Sequence, residues 1–431
     1  MRTATHKRVA YIQLCITKCR TCIVKDEYIF EAFRICLRHK TGSPSAAKYF
    51  WGYEEDLVAL CDEINARTYY PTTSTAFVVT KPKFREVFAA NFRDRIIHHY
   101  WAMRIEPLLE SIFSPRTYNC RKEKGVLFGI NMLYQDIYEC SEGYTKDCWV
   151  AELDLQGFFM SIDKRLLCDM LTQFIKDNYF GEDKEDIVWL NEIIIMHEPE
   201  NDCHIKGDPG LWDYLPKNKS LFTNGEGLGL PIGNLSSQLS ANYLLHWLDM
   251  FIEKLGFKYH GRYVDDFRII HQDKQKILHA IPKIRRFLSL YLHVKLHPDK
   301  FNIKHYKQGA DFTGSVVKPG RIYPGNRTVG NFYNAIWELN QCHTRDQIEK
   351  AVYSINSYLG FLRHTSSYHI RRSAILQIRP EIWDYIYVKG RFYSLSMKKT
   401  PTSRHSHEDN WPLVIYMKDP IHYELLQEEF T

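Results

Sequence analysis

Asp265 and Asp266 stand side by side in Arg262-Tyr-Val-Asp-Asp-Phe-Arg-Ile-Ile270, an aromatic and β-branched run before them and an apolar run after. The pattern predicts two short strands folded back on each other, with the acidic pair at the turn. Neighbouring side chains on a strand point to opposite faces, so the carboxylates share a face only if the turn redirects one. A divalent cation would offset their mutual repulsion. An Asp-Asp turn is ordinary by itself, and the weight comes from a third carboxylate more than a hundred residues upstream. In Trp149-Val-Ala-Glu-Leu-Asp154-Leu-Gln-Gly-Phe158-Phe159, apolar Trp149, Ala151, Leu153 and Leu155 alternate with Val150, Glu152 and Asp154. This predicts a strand ending near Gly157, with Asp154 on its polar face. Two-metal phosphoryl transfer needs carboxylates from separate strands converging on ions about 3.5–4 Å apart.

The elements that must carry these carboxylates belong to a chain of 431 residues, 45% hydrophobic and 25% charged, long enough for two or three domains. That balance excludes wholesale disorder. A formal net charge of +6 permits a polyanionic partner, and 28 Tyr within 14% aromatics offer rings on which bases stack. No run of about 18 apolar residues predicts a membrane helix, and the basic N-terminus lacks a secretory core. Eleven scattered cysteines suit reduced thiols, so a cytoplasmic location is expected. Cys19-x2-Cys22 with Cys36-x2-His39 has zinc-like ligand types and spacing, yet Cys36 and His39 lie in a stretch, Asp26–Lys40, that reads as a helix. Small buried cysteines are common there, so both readings stay open.

Tyr-Val-Asp-Asp, with an upstream Asp followed five residues later by an aromatic, resembles the palm of a reverse transcriptase. Further motifs match in order from about residue 45 to 320, and that order is far more specific than any one of them. The resemblance implies an α+β right-hand polymerase: fingers, a palm with an antiparallel sheet, and a helical thumb. It implies RNA-directed DNA synthesis with two Mg2+ ions, catalytic Asp154, Asp265 and Asp266, and metal binding by those residues and Leu155. Lys81–His99 interleaves bases with aromatics, and Arg85 falls where the family grips the incoming triphosphate. Phe159 takes the steric-gate position beside Phe158, and Lys300, in Leu292–Lys300, supports the primer or triphosphate side. With Ile232 and Gly233 these are the implied nucleotide contacts. Arg121, Asn234, Gln238, Arg363, Arg371 and Arg372 are the implied nucleic-acid contacts.

The main departure is Leu230-Pro-Ile-Gly-Asn-Leu-Ser-Ser-Gln238, with Ile232 where most reverse transcriptases carry Gln. Preceded by Asn218-Lys-Ser-Leu-Phe222, it resembles the reverse transcriptases of diversity-generating retroelements. That implies error-prone copying of a template-repeat RNA for mutagenic retrohoming, with a DNA primer, dNTPs and a small basic oligomeric accessory protein. The alternatives are another bacterial reverse transcriptase, of retron or phage-defence type, and a non-catalytic RNA-binding relic, against which all three carboxylates argue.

The expected organisation is an N-terminal helical extension over 1–60, fingers and palm over 61–320 with a loop-like insertion at 181–228, and a helical thumb with an acidic tail over 330–431. Within it, Val126–Cys140 reads as an amphipathic helix and Ser161 as a helix N-cap. Asp311–Val317 matches the family's primer-grip hairpin, Gly320–Gly330 reads as a hinge, and Ile336, Leu339, Ile348, Val352, Ile355, Tyr358 and Leu359 recur at helical spacing. Between Arg363 and Arg404 nine Lys or Arg face two acids, whereas from His405 on one Lys faces six acids. The basic stretch suits a nucleic-acid backbone, or is simply a solvated face.

Overall fold

A computed structural model describes residues 20–38, 44–80 and 83–399. Cys19, His39 and the side chain of Cys22 fall outside the described residues, as does the acidic tail; Cys36 is buried. The chain forms two compact units, one of residues up to Gly125 with Ala151–Asn302, the other of Val126–Val150 with residues from Ile303 on. No helix among the described residues is long and apolar enough to cross a membrane.

The elements run in the order α1 (Arg20–Leu37), α2 (Pro44–Phe50), α3 (Tyr53–Ala66), β1 (Ser74–Val79), β2 (Arg85–Ala89), α4 (Phe92–Ile112), α5 (Val126–Cys140) and β3 (Trp149–Leu155). Then come α6 (Phe158–Ser161), α7 (Lys164–Asn178), α8 (Lys184–Met196), β4 (Cys203–Ile205), α9 (Leu235–Lys254), β5 (Tyr259–Tyr263), β6 (Asp266–His271), α10 (Lys274–Tyr291) and β7 (Leu296–His305). The last stretch holds β8 (Ala310–Phe312), β9 (Ser315–Lys318), β10 (Arg321–Pro324), α11 (Asn326–Asn340), α12 (Arg345–Leu362), α13 (Tyr368–Ile375), β11 (Ile386–Lys389) and β12 (Ser394–Met397).

The first unit is built on a four-stranded sheet ordered β5-β6-β3-β7, which puts the strand of Asp154 beside the strand that begins at Asp266. Its core helices are α9, buried almost all round through Leu239, Leu244, Leu245, Leu248 and Ile252, and α4, which buries Ile96, Ile97, Tyr100, Trp101, Ile105 and Leu109. Burial of these apolar side chains drives the packing, and a fully buried Leu or Ile contributes about 1.5–3 kcal/mol. Asn91 caps α4 by accepting from the Arg93 N–H, and the buried Asp94 ties its first turn to Tyr69 and Thr72. A second sheet, β2-β1-β4, pairs β1 antiparallel with β2 and parallel with β4.

Three local expectations are corrected. Residues 181–228 are not a bare loop: α8 buries Ile187, Leu190, Ile194 and Ile195, and β4 extends the β1–β2 sheet. Ser161 caps nothing; it ends α6, and the cap of α7 is Asp163, whose side chain accepts from the Leu166 N–H at 2.9 Å. Gly320–Gly330 is not a hinge loop, since β10 pairs with β9 and α11 starts at Asn326.

The second unit holds α5, at the expected residues, the sheet β10-β9-β8 containing the expected hairpin, and α11 to α13. Phe332, Ile336, Leu339, Ile348, Val352, Ile355 and Leu359 meet in one core, joined by Ile386 and Leu395 of the β11–β12 hairpin. Thr344 and Gln347 form a reciprocal capping box that starts α12.

Candidate active site

The β5–β6 hairpin turns through Val264 and Asp265, because Tyr263 pairs with Asp266 across the ladder. Val264 has φ +60°, the left-handed region that a β-branched residue adopts at a cost of roughly 1–2 kcal/mol. That single reversal lets adjacent carboxylates face a common region with Asp154. Asp265 is raised above the ordinary carboxylate range, first by burial and then by the charge of Asp154, against the pull of Arg85 and Lys300. Asp266 still reaches the surface, yet burial and then the charges of Asp265 and Asp154 push it up to about 7, with Lys83 and Lys300 opposing. Lys300 donates to Asp154 Oδ2 at 2.8 Å and is raised by that bond. Three carboxylates, one on β3, one at the start of β6 and one in the turn before it, therefore share one electrostatic site, with Arg85, Lys83 and Lys300 as counter-charges. Lys83 is not among the expected contacts, although it stands two residues before Arg85 in the same basic run.

The donor set suits magnesium, which takes hard oxygen ligands from carboxylates and phosphates. Among the described residues no three acidic, His or Cys side chains already close on one ion, and Asp154 is engaged by Lys300. The mutual repulsion recorded in Asp265 and Asp266 is nonetheless what a divalent cation offsets. Asp154, Asp265 and Asp266 would hold such ions. Leu155 carries no donor atom in its side chain, so it could add only its backbone carbonyl. The chemistry supplied by bound Mg2+ would be activation of an attacking hydroxyl and neutralisation of phosphate charge.

Around this centre, the structure separates two groups of expected contacts. Arg85 is exposed at the start of β2, and its neighbour Glu86 is buried, accepting from Trp212 Nε1 at 2.6 Å, Ser220 Oγ at 2.6 Å and the Leu221 N–H at 2.7 Å. Glu86 thus pins the 209–223 segment to the strand that presents Arg85. Phe159 is half-exposed, with its carbonyl accepting from the Leu230 N–H at 2.8 Å, whereas Phe158 is buried at 2%. The Phe158 ring is accordingly part of the core. Ile232 is half-buried against a small apolar cluster of Ala76, Phe88, Met160 and Leu221, and its carbonyl accepts from the Phe88 N–H at 2.9 Å. Gly233 has φ +123°, and a Cβ there would lie 2.9 Å from Val87 Cγ1 and 3.2 Å from the Phe88 carbonyl oxygen. Only glycine lets this loop lie so close to β2.

Among the expected nucleic-acid contacts, Arg363 and Arg372 are exposed and Gln238 is exposed beside Cys120, whose thiol donates to it at 2.8 Å. Three others are used inside the protein. Arg121 is 6% exposed at its side chain, paired with Glu110 at 2.8 Å and donating to the carbonyls of Ser114 and Thr117. Arg371 is 4% exposed and donates to the carbonyls of Arg391 and Phe392. Asn234 is buried and accepts from the Ala90 N–H at 3.3 Å. Buried guanidinium groups need fixed acceptors, and these have them, so the structure gives Arg121 and Arg371 structural work in place of phosphate contacts.

Residues 79–317 match the family described as "Reverse transcriptase (RNA-dependent DNA polymerase)". The chain is 25% identical over 333 residues to "Protein YkfC" of Escherichia coli (strain K12), covering 68% of this chain and 80% of that protein. It is 23% identical over 238 residues to "Group II intron-encoded protein LtrA" of Lactococcus lactis subsp. cremoris, covering 54% of this chain and only 34% of that protein. Among solved structures, apo telomerase from Candida tropicalis aligns with a TM-score of 0.44 and 13% identity, over 72% of this chain and 56% of that one.

Proposed function

The chain belongs to the reverse transcriptase (RNA-dependent DNA polymerase) family, with that family's α+β right-hand polymerase fold and RNA-directed DNA polymerase class, and from this we propose that it makes error-prone cDNA from a template-repeat RNA in a diversity-generating retroelement. Asp154, Asp265 and Asp266 form the catalytic and metal-binding set in this reading. A primer 3′-hydroxyl attacks the α-phosphate of a dNTP there, and catalysis is mostly positioning and charge neutralisation. Arg85 and Lys300 serve the triphosphate side, Phe159 excludes the ribose 2′-OH, and Arg363 and Arg372 contact the nucleic-acid backbone. Residues 61–320 act as fingers and palm, and residues from about 330 as thumb. A small basic oligomeric accessory protein completes the assembly.

The observation that carries the error-prone reading is Ile232. It lies against the Phe88 cluster on β2, the strand that presents Arg85, and offers only apolar surface. A Gln at that place could hydrogen-bond near the incoming sugar and base. Losing one such bond is worth about 0.5–1.5 kcal/mol, or roughly a two- to twelvefold loss of discrimination if it acts only on the correct pair. The test is misincorporation opposite template adenine by wild type and Ile232→Gln, on the cognate RNA with its accessory protein. A lower error rate with synthesis retained supports the reading, and an unchanged error spectrum overturns it. Accurate copying by the wild type would instead favour a retron or phage-defence enzyme.

A further inference from the structure

The strained residue in the turn, Val264, is gripped on both of its peptide groups. Its N–H donates to Asn119 Oδ1 at 3.0 Å, and its carbonyl accepts from Arg262 Nη1 at 3.0 Å. Both gripping side chains are themselves fixed. Arg262 donates through Nε and Nη2 to both oxygens of Asp249 at 2.7–3.1 Å, a buried pair with each side chain 1% exposed. Asn119 Nδ2 donates to Asn242 Oδ1 at 2.8 Å, and Asn242 Nδ2 returns a bond to the Asn119 carbonyl at 3.1 Å. Arg262 Nη1 also reaches Asn242 Oδ1 at 3.3 Å, so the two arms meet at one residue of α9. Thr117 closes the set, donating to Asp249 Oδ2 at 2.7 Å. Asn119, Asn242, Asp249, Arg262 and Thr117 are all buried, and every polar atom of their side chains has a partner within the set or on Val264.

A buried ion pair is a poor source of stability, because desolvation offsets most of its attraction. A fully satisfied buried network instead fixes one arrangement of the groups attached to it. Here the attached group is the one backbone residue that must hold an unfavourable conformation for Asp265 and Asp266 to face the same region. We infer that Asn119 and Arg262, braced by Asn242 and Asp249 on α9, are positioning residues that hold Val264 left-handed and thereby set the direction of the Asp265 carboxylate. They touch no substrate; they act through the hairpin. The inference rests on the polymerase reading of this site only in taking Asp265 as catalytic.

Two single variants test it in the full chain. Asn119→Ala removes the acceptor for the Val264 N–H, and Arg262→Lys keeps a cation for Asp249 while losing the fork that reaches the Val264 carbonyl. In single-nucleotide primer extension, kcat falls by about ten- to a hundredfold and the Mg2+ requirement rises, as for other supports of metal ligands. Primer–template binding stays within about twofold, because the phosphate-binding surface is untouched. Amide exchange in the peptide covering 259–271 accelerates. The decisive arm is Val264→Gly placed in the Asn119→Ala background, since glycine adopts positive φ without strain and needs no clamp. Recovery of at least a few-fold in kcat supports positioning. Loss of activity without recovery, or an Asn119→Ala enzyme with unchanged kcat and Mg2+ requirement, overturns it. If Arg262→Lys does not fold, the Asn119→Ala pair decides alone. Full extension by Asp265→Asn would be a failure of the site assignment and not of the clamp.

Discussion

At the residue scale, Asp154, Asp265 and Asp266 lie close enough that the charge of Asp154 raises Asp265 and the charges of both raise Asp266. Their charges leave a thermodynamic mark that can be measured without any substrate. Burial and the charges of Asp265 and Asp154 push Asp266 up to about 7 from an ordinary 3.8. Between those values the folded state binds more protons than the unfolded one, so stability falls as pH rises through the window and stays lowered above it. Without divalent cations, Asp266→Asn should therefore have the higher thermal midpoint at pH 8 and a shallower decline between about pH 4 and pH 7. Equal midpoints at pH 8, or parallel pH profiles, would remove the repulsion argument. The buried places of Arg121, Arg371 and Phe158 were not legible in the sequence. Whether a cation or ring meets solvent or buried carbonyls is decided by tertiary packing, and a run of bases in the sequence looks the same in both cases.

At the element scale, periodicity served well where a face is buried and poorly where a segment is held by point contacts. Helix α5 was found at its residues because its apolar positions recur at helical spacing, and the β5–β6 hairpin because its turn interrupts two apolar runs. The segment 209–223 shows neither pattern, since short 3-10 turns there depend on the carboxylate of Glu86. The β11–β12 hairpin departs from the helical thumb that the spacing predicts for a related reason: its strands are four residues each and bury few side chains. Glu86→Gln should cost about 1–3 kcal/mol, because an amide accepts at one atom where a carboxylate accepted three bonds and turns its NH2 toward donors. Urea unfolding would register that loss, and protease cleavage within 209–223 should accelerate. Unchanged stability with an unchanged digestion pattern would mean that Glu86 does not hold the segment.

At the scale of the whole molecule, family membership rests on residues 79–317, and those residues lie in both compact units. The carboxylates, Arg85, Lys300 and the clamp all fall in the first unit, which therefore carries the proposed chemistry; the second carries the exposed Arg363 and Arg372. Catalysis and backbone binding should accordingly be separable by mutation. The direct test is single-nucleotide extension of a DNA primer on an RNA template by wild type and Asp265→Asn, with primer–template binding measured in parallel. Wild type should extend the primer with Mg2+, and Asp265→Asn should lose roughly a thousandfold in rate while binding stays nearly intact, since removal of one charged partner in the transition state costs several kcal/mol. Near wild-type extension by Asp265→Asn would contradict the assignment of these carboxylates.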